Sequence, residues 1–155
     1  MNLDRANWAE QPETNRRKGI DLARQALQAG ENDPGILANA AVLLAYFGED
    51  ISAMIGLIDR ALALNPSFAR GWHASGTLRV WAGQHDLAIE HVETSPRLSP
   101  RERTGMPLSS IGTAYFFKLR FDDAASRLLL AIQENPGCDP AWKIDPCRGV
   151  IGVQL

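Results

Sequence analysis

With 155 residues, 45% of them hydrophobic and 22% charged, the chain has the size and composition of one ordinary globular domain. Its formal net charge of −2 supplies no electrostatic drive toward nucleic acid or anionic lipid. Residues 1–7 are polar and lack the apolar core of a secretory signal, and the longest apolar-rich run, 36–47, is too short to span a bilayer. A cytoplasmic location is therefore expected.

In chain order, residues 1–13 carry little periodic signal and read as an irregular lead-in. From 14 to 30 apolar residues recur at three- and four-residue steps through Ile20, Ala23 and Leu27, which predicts a helix stopped by Gly30. Two further helices are predicted at 36–47 and 52–64, with Gly48 at the turn between them. The next pair turns at Gly83, and its second helix holds Pro96. A proline inside a helix removes a donor and clashes with the preceding turn at a cost of ~3 kcal/mol, so a kink or an early end near Thr94 is expected. A third pair is predicted at 107–118 and 121–134, turning at Leu119 and Arg120. Asp122 and Asp123 open its second helix, where carboxylates suit the positive end of the dipole. Beyond Pro136 the helical period fails. Residues 137–155 read as an irregular tail, either the broken end of a longer array or a disordered or packed C-terminal segment, with Trp142 where a fourth unit would begin.

Pro34, Pro66, Pro100 and Pro136 stand 32, 34 and 36 residues apart and bound three helix–turn–helix units. The unit ending at Pro100 also holds Trp72, Gly76, Gly83 and Ala88 at the expected large, small, turn and small positions. In spacing and residue types the chain resembles the tetratricopeptide repeat. The resemblance implies an all-α solenoid of antiparallel helix pairs in a right-handed superhelix. Its expected organisation is a half repeat at 14–33, then repeats at 34–66, 67–100 and 101–136, forming one domain over 14–136. The wording of residues 15–27, 59–66 and 71–83 further resembles the C-terminal repeats of proteobacterial signalling proteins. In those proteins the repeats follow an adenylate/guanylate cyclase domain or a winged-helix DNA-binding domain. That likeness implies a regulatory, partner-binding role and transfers no catalytic residue.

Such repeats bind peptides or helices in a concave groove lined by the first helix of each pair. The register places Ala38, Val42, Ala45 and Tyr46, then Arg70, His73, Thr77, Val80 and Trp81, then Ser109, Thr113, Phe116 and Phe117 toward it. Tyr46, Trp81 and Phe117 share one register position, so three aromatics are candidate anchors, with Arg70 and His73 as polar orienters. The alternative is that these rings pack between adjacent helices. Mainly apolar groove positions argue against a clamp for a chain-terminal carboxylate.

Other chemistry finds no foothold. His85 and His91, six apart, do not share a helical face, and Cys138 and Cys147 have no metal-ligand spacing around them, so no metal site is expected. The pairs Glu49–Asp50 and Asp122–Asp123 sit where helices start, and Ser109–Ser110 lacks a nucleophile-elbow context. No phosphate loop or dinucleotide fingerprint is present, so no cofactor is expected. The reading is a non-enzymatic protein-binding scaffold. Two alternatives stand beside it: a detached regulatory fragment of a nucleotide cyclase, and a module that forms a homo-oligomer through its uncapped terminal repeat.

Overall fold

The computed structural model describes residues 12–101 and 105–134. The lead-in before residue 12 and the tail that holds Trp142 and both cysteines lie outside the described residues. Seven helices and no strand occur within them: α1 Pro12–Ala29, α2 Pro34–Tyr46, α3 Ile51–Leu64, α4 Ala69–Trp81, α5 His85–Leu98, α6 Gly105–Phe117 and α7 Phe121–Glu134. No helix among them is long and apolar enough to cross a membrane.

Local chemistry sets the helix ends. Asp33 caps α2, its carboxylate accepting from the Ile36 N–H at 2.9 Å, and Pro34 occupies the first turn, where a missing N–H costs nothing. Asp50 caps α3 in the same way through Ser52, at 3.0 Å. Between the helices of each pair the chain makes one left-handed residue, Gly48 at φ 88°, Gly83 at φ 76° and Leu119 at φ 59°. Each is followed by an N–H that reaches back five residues: Glu49 to Leu44, Gln84 to Arg79 and Arg120 to Tyr115. These are three copies of the Schellman C-cap.

Each pair closes around a small residue. A Cβ on Gly76 would lie 2.2 Å from Cγ2 of Val92 and 2.9 Å from the Ala88 carbonyl oxygen, so α4 and α5 cross with no room for a side chain. Ala41, fully buried, and Gly112 hold the corresponding place in the other pairs. First helices also pack on one another, α2 on α4 and α4 on α6, which produces the continuous inner layer of a solenoid. One apolar cluster fills α1 through α4 around Leu37, Ala41, Ile58 and Leu78, and a second joins α4, α5 and α6 through Val80, Ala88 and Ala114.

Helix α5 departs from the sequence expectation. It does not stop near Thr94 but carries Pro96 through to Leu98, and the Ser99 N–H still reaches Ser95 at 3.1 Å. Only the bond from position 96 is forfeited. Val92 and Ser95, both buried, hold the last turn against its neighbours.

Candidate partner-binding groove

Because α2 and α4 are neighbouring first helices, their exposed strips face a common trough. Ala38, Asn39, Val42, Leu43 and Tyr46 from α2 meet Arg70, His73, Ala74, Thr77 and Trp81 from α4 around a cavity of about 430 Å³. Phe68 and Met106 complete the lining. The recurrence of lining residues at three- and four-residue steps along each helix means that one face of each runs the length of the trough.

Its polar groups are mostly engaged. His73 Nε2 lies 3.1 Å from Ser110 Oγ, tying α4 to α6, and burial pushes the His73 pKa below its ordinary value despite an opposing bond to the Met106 backbone. The Thr77 hydroxyl donates to the His73 carbonyl at 3.1 Å. Arg70 is exposed and forms no ion pair with a described residue. Tyr46 is 59% exposed, whereas Trp81 packs against both apolar clusters. Tyr46 is thus free to meet a ligand, and Trp81 serves wall and core together.

The structure brings Tyr46, Arg70, His73, Thr77 and Trp81 to one cavity and places the other two candidates elsewhere. Thr113 folds back on its own helix, donating to the Ser109 carbonyl at 2.9 Å. Phe117 stacks on His85, with ring centroids 5.4 Å apart and planes 8° from parallel. Asn39, Leu43, Phe68, Ala74 and Met106 line the cavity without having been expected there. Asn39 and Leu43 sit one residue along α2 from Ala38 and Val42, so a wider stripe on the same helix was the available signal. Phe68 and Met106 come from a helix start and from α6, and only the superhelical path brings them in.

Behind the trough lies a buried polar latch. Arg79 donates to both oxygens of Asp59 on α3, at 2.9 and 3.1 Å, and to the hydroxyl of Ser75. The Ser75 hydroxyl, accepting from Arg79, can donate to His91 Nδ1 at 3.0 Å on α5. Desolvation first, and then the Arg79 charge, lower the His91 pKa, while Asp59 and Glu90 oppose the shift. The His91 ring also meets the edge of Trp72, whose indole N–H donates to the Pro66 carbonyl at 2.8 Å. Three consecutive helices are thereby fixed in register by one arginine.

No protein-family model matches the chain, and no curated protein matches it. Solved structures do. A double mutant of MamA RS-1 superposes with a TM-score of 0.62 at 18% identity, over 85% of this chain and 73% of that one. Two crystal structures of MamA give TM-scores of 0.52 and 0.51 at 21% and 19% identity. They cover 88% and 95% of this chain, and 97% and 92% of their own. At such identities the likeness establishes the fold, a tetratricopeptide-type helical solenoid.

Proposed function

We propose that this chain is a non-catalytic protein–protein interaction scaffold that takes a partner segment into the trough between α2 and α4. The observation that carries the reading is the 430 Å³ cavity itself, apolar along most of its wall and open at Tyr46. Concave, mostly apolar sites with a few placed polar groups are what ligands occupy. The groove's polar groups suit holding more than chemistry, since His73 and Thr77 are engaged in bonds that shape the wall. The working unit is the array 14–136, one half repeat and three repeats, acting in the cytoplasm. The likeness of residues 15–27, 59–66 and 71–83 to repeats of cyclase and winged-helix regulators supports a place in bacterial signalling. An in-frame cyclase domain encoded upstream would make the chain a regulatory fragment of that enzyme.

Panning a random peptide library on the purified protein tests the scaffold reading. The expected result is enriched peptides whose affinity falls about tenfold, ~1.4 kcal/mol, in Tyr46→Ala. Tyr46 is the better probe because its truncation leaves the core intact, whereas Trp81→Ala removes packing from both clusters. No enrichment over an unrelated helical protein, or undiminished affinity in folded Tyr46→Ala, overturns the reading.

A second reading draws on a separate observation. Phe121, Leu129 and Ile132 of α7 are 56%, 60% and 39% exposed and share one helical stripe. A second copy of the chain covering that stripe would make a homo-oligomer. Sedimentation of wild type and Leu129→Glu checks this, with a monomeric wild type at high concentration as the contrary outcome.

A further inference from the structure

We infer that the trough selects a partner segment that presents a side-chain carboxylate to Arg70 and, about 16 Å away, a bulky apolar residue to Tyr46 and Trp81. The inference rests on the scaffold reading above and adds to it the chemistry and spacing of the occupant.

The two ends of the trough differ in kind. Arg70 opens the α4 strip and Trp81 closes it, eleven residues further on, which is about 16 Å of helix. At the Arg70 end the guanidinium is exposed and pairs with no described residue. At the other end Tyr46 and Trp81 supply aromatic surface. Among the described residues no aspartate or glutamate lines the cavity, so an incoming carboxylate meets the Arg70 cation there. Such a pair at a partly enclosed rim is worth more than the same pair in open solvent.

The spacing follows from the α4 strip itself. A carboxylate met by Arg70 and an apolar side chain against Tyr46 and Trp81 stand about 16 Å apart, less what the flexible Arg70 side chain reaches across.

Fluorescence-polarisation titrations with synthetic peptides taken from the selection test the idea. For wild type, changing the peptide's acidic residue to its amide should weaken binding about fivefold to tenfold, and added salt should do the same. In Arg70→Ala that peptide change should have no effect, and in Arg70→Glu a lysine at the same position should be preferred. Arg70 is exposed, and circular dichroism confirms that each variant is folded before titration. Selected peptides that need Tyr46 yet show no acidic preference and ignore Arg70→Glu overturn this inference while leaving the scaffold reading intact. So does a required carboxylate that proves to be the chain terminus. Failure of every peptide to bind overturns both.

Discussion

The pairs α4–α5 and α6–α7 are copies of one unit, yet among the described residues α4–α5 has neighbours on both sides and α6–α7 on one. Equivalent positions show the consequence. Val92 of α5 is fully buried and Leu62 of α3 is 8% exposed, whereas Ile132 of α7, at the place of Leu62, is 39% exposed. The apolar face of a second helix is therefore a property of the repeat, written whether or not a following helix covers it. The inner pair also carries what the outer one lacks among the described residues: the Asp59–Arg79–Ser75–His91 latch and a glycine at its turn. Closure brings polar specificity as well as burial.

The largest expected effect that could break this comparison is steric. Gly76→Ala gains about 1 kcal/mol of helix propensity but drives its methyl into Val92 and the Ala88 carbonyl, and backbone cannot rotate away. A net loss of about 2 kcal/mol is expected in urea unfolding. At Gly112 the new methyl meets the Leu128 side chain at 2.7 Å and the Ala124 carbonyl only at 3.3 Å. Leu128 lies on the open helix and can yield, so Gly112→Ala should fall within about 1 kcal/mol of wild type. Equal losses at the two sites would mean that the outer pair is held as firmly as the inner.

Next in size is the latch. Asp59→Ala leaves the buried Arg79 guanidinium without its carboxylate. Loss of a partner from a fully buried pair costs about 3–5 kcal/mol. The Asp59 side chain is 48% exposed, so solvent softens the penalty to about 1–2 kcal/mol. The equivalent outer contact, Lys118 with Asp86, joins α6 to the first turn of α5, and Lys118 holds the exposed Asp86 carboxyl below its ordinary range. Asp86→Ala should change the urea midpoint little. A loss matching that of Asp59→Ala would erase the distinction between latch and surface pair.

A smaller effect separates the turns. Leu119 adopts the left-handed conformation that Gly48 and Gly83 adopt at the same place, and a side chain there costs about 1 kcal/mol. Leu119→Gly should stabilise by about that amount and also remove a 73% exposed leucine, while Gly83→Ala should destabilise to a similar degree. Thermal midpoints moving in the same direction for both would contradict the assignment of one cap motif to all three turns.

Much of this architecture is legible in sequence because it is written at short range. The apolar steps of α1, the aspartates before α2 and α3 and the two turn glycines each act within a few residues. Pro96 misleads for the same reason, since its local cost is real but packing at Val92 and Ser95 outweighs it. The latch is invisible in the chain order because Asp59 and Arg79 are twenty residues apart on different pairs. The groove is intermediate. Register alone places Tyr46 and Trp81 on successive first helices, and both line the cavity. Phe117 holds the same register, but its ring has found the flat face of His85 at the start of α5. Periodicity assigns a residue to a helix face; which neighbour the ring then meets depends on the three-dimensional path.

The finest test of the comparison is pH. His73 and His91 both touch the inner first helix, and burial lowers the pKa of each below the 6.5 of an unperturbed imidazole. The unfolded chain then binds protons more readily than the folded one, so stability is level at higher pH and falls as pH drops below about 6.5 toward the folded values. For His91 desolvation leads, and the facing charges are Arg79 from α4, which lowers the pKa, and Asp59 from α3 and Glu90 on its own helix, which oppose it. Thermal midpoints should therefore decline between about pH 7.5 and about pH 5.5, over and above any carboxylate contribution at lower pH. His91→Gln keeps a hydrogen-bonding side chain beside Ser75 and removes the titration, so it should flatten part of that decline, and His73→Gln another part. A wild-type midpoint that rises over this interval would place the two imidazoles in the charged form within the fold. The inner pair would then tolerate a cation that its burial should exclude.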